Sequence, residues 1–153
     1  MKIFISLLSA FILMQLIRVD YSNPPVDPKV DFQSIAQPPT EVLSTLKSAC
    51  YDCHSNETKY PWYSQVAPVS WWMKGHIGEA REKLNFSTLG ALESEDLREQ
   101  LKEAAEVIRE GEMPLTSYTR MHAEARLSDT QRALLAQWLE HYVPASSGWG
   151  LAE

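Results

Sequence analysis

Cysteine is scarce in this chain of 153 residues: there are two, and both lie in one five-residue segment. No other thiol is left to build a disulfide framework. Basic side chains are outnumbered 14 to 20, and the net charge of −6 becomes more negative once Lys2 and Arg18 are set aside. That balance argues against nucleic acid as a partner. It serves solubility, and it equally permits steering toward a basic partner. There is no internal repeat and no alternating strand pattern of useful length. No Ser/His/Asp set, paired-carboxylate site or phosphate loop is evident, so the chain is not expected to be an enzyme. A single long apolar run occurs, from Ile3 to Ile17, broken by Ser6, Ser9 and Gln15. It is shorter than the ~20 residues that span a bilayer comfortably.

What is present begins with that run. Met1-Lys2 precedes it and Arg18 ends it, the form of a secretory signal. Leu8-Ser9-Ala10 puts a large residue where a cleavage site wants a small one. Residues 1–18 are therefore expected to be an uncleaved membrane anchor, with a cleaved signal as the alternative. Either places the remainder outside the cytoplasm, on the periplasmic side, and Lys2 agrees with the positive-inside tendency.

The two cysteines stand in Cys50-Tyr51-Asp52-Cys53-His54. This C-x-x-C-H pattern is the covalent attachment site of a c-type haem. Two thiols at this spacing can add to the two vinyl groups on one edge of the ring. The next residue, His54, then falls under the iron as proximal ligand. Two other readings compete. A structural zinc site needs four ligands, and the remaining histidines, His76, His122 and His141, are single. A thioredoxin-like redox pair sits at a helix start after a strand, whereas a helix is expected to run into this one.

Proline density at Asn23-Pro24-Pro25, Asp27-Pro28 and Gln37-Pro38-Pro39 predicts an extended linker over 19–39, wrapping onto the domain or holding it away from the membrane. Thr40 is the expected N-cap of a helix with Val42, Leu43, Leu46 and Ala49 on one face. Val69, Trp72, Met73, His76, Ile77 and Ala80 recur at helical spacing over 69–84. Ser94 is expected to cap a helix through Arg109 that Gly111 stops. Residues 111–126 read as a loop holding Met113-Pro114. Ser128-x-x-Gln131 is a capping box that opens a last helix, with Leu134, Leu135, Trp138 and Tyr142 inward and Pro144 ending it. The haem-binding domain is thus expected over 40–144, with a flexible tail over 145–153.

A helix ending in C-x-x-C-H, a Met-Pro in a loop and an amphipathic C-terminal helix resemble class I cytochromes c. The chain from about 15 to 142 resembles more closely a bacterial family of small haem-binding domain proteins. The resemblance rests on Asn23-Pro24-Pro25, Cys50 to Asn56, Pro61-Trp62-Tyr63, Ala67-Pro68-Val69-Ser70-Trp71, His76, Arg81, Leu84-Asn85-Phe86-Ser87, Met113-Pro114, Tyr118 and His122. It implies an all-α, cytochrome c-like, periplasmic domain around one covalent haem c, tethered to the membrane. It supplies no physiological partner.

The second axial ligand decides what such a haem does. Met113 follows His54 in the order of class I cytochromes, and Pro114 would stiffen its loop; methionine is also an ordinary core filler. His76 is the alternative, on the apolar face of its helix, where a buried histidine bonded to a carbonyl or a propionate is the plainer reading. His122, Met73, His141 and an open face complete the set. Tyr60, Trp62, Tyr63, Trp71 and Trp72 cluster beside the motif and suit the walls of an apolar plate, with Trp62 a candidate cofactor contact. Arg81 is the candidate propionate partner, with an exposed pairing to glutamate as its alternative. The function expected is one-electron transfer with redox proteins of a respiratory chain. A haem-based sensor or peroxidase with a displaceable distal ligand is the runner-up.

Overall fold

The computed structural model describes residues 1–143. Helices α1 (Lys2–Met14), α2 (Phe32–Ala36), α3 (Thr40–Ala49), α4 (Tyr51–His54), α5 (Val69–Lys83), α6 (Ser94–Glu110), α7 (Thr116–Met121) and α8 (Asp129–His141) follow in order, with short 3-10 turns at 62–65, 89–91 and 123–125. Among the described residues there is no strand, as the missing alternation predicted. The expected tail over 145–153 and the expected stop at Pro144 lie outside the described residues.

The core forms where α6 and α8 pack together and α3 crosses α8. Leu97, Leu101, Ala105 and Ile108 make a buried stripe along α6 at the helical repeat. Gly111 ends it in the left-handed conformation at φ 79°, its N–H bonded to the Ile108 carbonyl at 3.2 Å. The capping box at the start of α8 forms in full: Ser128 Oγ accepts from the Gln131 N–H, and Gln131 Oε1 accepts from the Ser128 N–H. The buried face of α8 is Leu135, Ala136 and Leu139. Leu134, Trp138 and Tyr142 pack half-buried at its margin.

Four expectations change. Residues 111–126 are not all loop: α7 occupies Thr116–Met121 and a 3-10 turn Ala123–Ala125. Thr40 does not cap α3; the helix begins after Pro39 in extended backbone with no side-chain cap. Ser94 is likewise the first helical residue after Glu93, and caps nothing. The proline-rich segment is not wholly extended. Asp31 caps α2 by accepting from the Ser34 N–H at 3.2 Å, and Phe32 is 0% exposed. Its ring meets Phe86, Trp138 and Tyr142 at 5.3–5.9 Å. Phe32 N–H donates to the Phe86 carbonyl and Gly90 N–H to the Val30 carbonyl, each at 2.8 Å. A Cβ at Gly90 would lie 2.8 Å from that Val30 oxygen, so only glycine lets the backbones approach this closely. The segment therefore wraps onto the domain as a strap, through proline-free residues 29–36.

The expected N-terminal membrane helix is the 13-residue α1, none of whose residues is buried. No helix among the described residues is long and apolar enough to cross a membrane.

Candidate functional site

Helices α3 and α4 are separated only by Cys50, whose ψ of −40° at φ −125° kinks the chain. The Cys50 carbonyl accepts from Cys53 N–H at 3.1 Å and His54 N–H at 2.8 Å, so Cys50 to His54 close one tight turn. Both cysteines are free thiols and half-buried. Burial pushes Cys50 up to about 12. Burial, then the Asp52 carboxylate, push Cys53 up to about 11 against the opposing pull of Arg81. Thiols this hard to ionise are unlike the thiolates of metal sites and redox pairs, which rest on a lowered pKa.

His54 is oriented by α5. Its Nδ1 lies 3.1 Å from the Ala80 carbonyl and 3.0 Å from the Leu84 carbonyl, so Nδ1 carries the proton and Nε2 keeps its lone pair. Burial lowers its pKa, with the two carbonyl bonds acting the other way. A neutral imidazole tied by Nδ1–H to backbone carbonyls is the arrangement metal-ligating histidines use.

Beside this turn opens a cavity of about 360 Å³, within the range of small-molecule sites. One wall is α5, through Val69, Trp72, Met73, His76 and Ile77; the opposite wall is Leu115, Tyr118, Met121 and His122. Cys53, Tyr63 and Pro61 join them. This explains why the apolar face read along α5 is not core: only Ile77 of it is buried, and Val69, Trp72, Met73 and His76 line the cavity with it. Polar groups gather around His122. Tyr118 Oη donates to Asp52 Oδ2 at 2.7 Å, and its ring stacks on His122 at 4.2 Å. His122 has both nitrogens engaged, Nε2 with Tyr63 Oη at 2.7 Å and Nδ1 with Glu124 at 3.2 Å. Burial and Asp52 together raise the Tyr118 pKa, keeping that phenol protonated.

The site residues read from the sequence fall into two groups. Cys50, Cys53 and His54 share the turn, and Cys53 and His76 line the cavity. His76 donates from Nδ1 to the Trp72 carbonyl at 3.1 Å, which leaves Nε2 unspent. Met113 lies off the cavity, half-buried against the core. Its backbone is fixed by the Val107 carbonyl at 3.2 Å and by Arg132, which reaches the Met113 carbonyl at 2.9 Å. Trp62 is 78% exposed and packs edge-on against Tyr63. Arg81 does not line the cavity; it spends Nε on the Ser55 carbonyl and Nη2 on Asn23 and Thr58, stitching the N-terminal segment to the loop after the motif. His141 is exposed and bonds the Gln137 carbonyl within its own helix.

Two residues escaped sequence reasoning. Met121 lines the cavity and is 62% exposed, although nothing in its spacing sets it apart from the loop around it. Arg132 looks like an ordinary charge on α8, and only the fold shows it clamping the end of α6 and the Met113 backbone.

The donor set fits a haem: two thiols on one turn, a pre-oriented imidazole, and beside them a cavity walled largely by aromatic, aliphatic and thioether groups. Fold and site together define a small all-helical protein made to hold a flat apolar cofactor beside a Cys-x-x-Cys-His turn. A family described as the haem-binding domain matches residues 9–141, and the chain belongs to that family, with haem as its cofactor. No curated protein and no solved structure matches the chain.

Proposed function

We propose that the protein is a monohaem c-type cytochrome that carries single electrons at the periplasmic face of the inner membrane, held there by its N-terminal segment. In this reading Cys50 and Cys53 form thioethers and His54 is the proximal ligand. The observation that carries it is the grip of the Ala80 and Leu84 carbonyls on His54 Nδ1, in a turn that already holds two protonated thiols. Bound haem supplies a one-electron ferric/ferrous couple. The chain's own part is to fix the imidazole, offer the apolar side chains of Val69, Trp72 and Leu115 to the ring, and keep Tyr118 and His122 hydrogen-bonded at the wall. Its partners are redox proteins of a respiratory chain, and the protein performs no catalysis alone.

The geometry also bears on the second ligand. The second ligand would be drawn from the 111–122 segment, where Met121 lines the cavity and Met113 packs half-buried against the core, with His76 on α5, its Nε2 free, as the alternative. Met113 is the residue proposed, with Met121 its competitor in the same segment. A thioether there stabilises ferrous iron relative to a second imidazole.

A sensor or peroxidase is the second reading, favoured by the hydrogen-bonded Tyr63–His122 pair at the cavity wall. Carbon monoxide uptake by the untreated ferrous protein separates it from electron transfer, which expects none. Covalent attachment is tested by haem staining after denaturing electrophoresis and by intact mass. Protein matured with a working attachment system is expected to stain and to carry one haem. A colourless product of bare-polypeptide mass overturns the proposal.

A further inference from the structure

A second cleft, of about 240 Å³, lies at the foot of α1, lined among others by Gln15, Arg18, Tyr21, Gln65 and Ser70. It shares no lining residue with the cavity beside the Cys-x-x-Cys-His turn. The foot of α1 is fixed to the body. The Gln15 amide pairs reciprocally with Ala67, Nε2 donating to its carbonyl at 3.2 Å and Oε1 accepting from its N–H at 2.9 Å. Trp71 Nε1 donates to the Ile17 carbonyl at 3.2 Å and Lys74 Nζ to the Asp20 carbonyl at 3.0 Å. Tyr21 Oη donates to the Ser64 carbonyl.

Three donors in the cleft remain unspent. Among the described residues Arg18 forms no ion pair, and the side chains of Arg18, Gln65 and Ser70 make no hydrogen bond. Ser70 lines the cleft and is only 3% exposed, and its hydroxyl makes no hydrogen bond within the protein. A guanidinium, an amide and a hydroxyl converging on one space match a tetrahedral anion with several acceptor oxygens. Next to them stands α1, apolar apart from a stripe of Lys2, Ser6 and Ser9 and with no buried residue. Such a helix belongs in hydrocarbon. The ligand that satisfies both at once has an anionic head and an apolar tail.

We propose that this cleft binds the phosphodiester headgroup of a membrane phospholipid, with Arg18 as the charged contact and Ser70 and Gln65 as neutral donors. The proposal rests on the reading that α1 enters the membrane. It makes the junction between anchor and domain a lipid-filled joint of fixed orientation.

The test uses the full-length, haem-loaded protein. Flotation with dioleoylphosphatidylglycerol vesicles reports the membrane reading, and native mass spectrometry from detergent with the same lipid added reports retained lipid. The parent is expected to float and to keep one lipid. Arg18→Gln and Ser70→Ala are each expected to float yet to need about tenfold more lipid for the same retention, the scale of one charge-assisted contact. Arg98→Gln, an exposed charge on α6, is expected to match the parent. Failure of the parent to float removes the membrane reading and this site with it. Flotation with unchanged retention in both cleft variants removes the site alone. Displacement of the lipid by an equal concentration of inorganic phosphate makes the ligand free phosphate and overturns the lipid assignment.

Discussion

Replacing Phe32 by alanine tests whether the proline-rich segment is a strap or a tether. The ring is 0% exposed and touches Phe86, Trp138 and Tyr142, which belong to the second half of the chain. Removing a fully buried phenylalanine costs about 3–5 kcal/mol, and three aromatic contacts place this site toward the upper end. At roughly 2–4 °C per kcal/mol for a chain of this size, the melting temperature should fall by about 6–20 °C. Far-ultraviolet circular dichroism on the haem-loaded protein measures it. Haem content should be unchanged, because Phe32 is not among the residues that line the cavity. A shift below about 2 °C would mean that residues 26–36 dangle in solution, and the packing argument for the strap would be lost.

Further expectations concern the site. Met113→Ala should abolish the far-red sulfur-to-iron band of the ferric protein and lower its reduction potential, whereas His76→Ala should leave both in place; the reverse outcome would overturn Met113 and make His76 the second ligand. Because burial depresses the His54 pKa, its neutral form prevails at and above the ordinary imidazole value, and its contribution is lost only as pH falls through the depressed value. The low-spin spectrum should therefore survive titration through pH ~6.5 and fail well below it, and loss at pH 7 would contradict this. Haem-free polypeptide should be alkylated by iodoacetamide at pH 8 at least about a hundredfold more slowly than in urea, since both thiols are held protonated by burial. Equal rates with and without urea would show that the turn is open.

Local rules were legible in the sequence where a residue's partners lie within one turn. The capping box at Ser128, the glycine stop at Gly111 and the apolar stripe of α6 all depend on neighbours three or four positions away, and all form. The same holds for the Cys-x-x-Cys-His turn. Thr40 and Ser94 mislead because a capping residue type is compatible with a helix start without being required by one. The failures come from contacts across the chain. Phe32 looked like linker because its partners are 54 to 110 positions later. The bonds Arg81 makes to Ser55, Asn23 and Thr58 could not be read from the sequence, because these residues share no pattern with it. Trp72 and His76 were read as lying on an apolar face, and that face exists. Periodicity alone does not say whether it meets protein or a cavity.

The strap also orders events during synthesis. Phe32 leaves the ribosome before Cys50, but the rings that receive it, Phe86, Trp138 and Tyr142, emerge afterwards. So do the α8 side chains of the core on which Cys50 packs. For most of the chain's elongation, Cys50 therefore lacks part of the core that covers it. Any enzyme acting on that sulfur would have a window that closes when the last helix arrives.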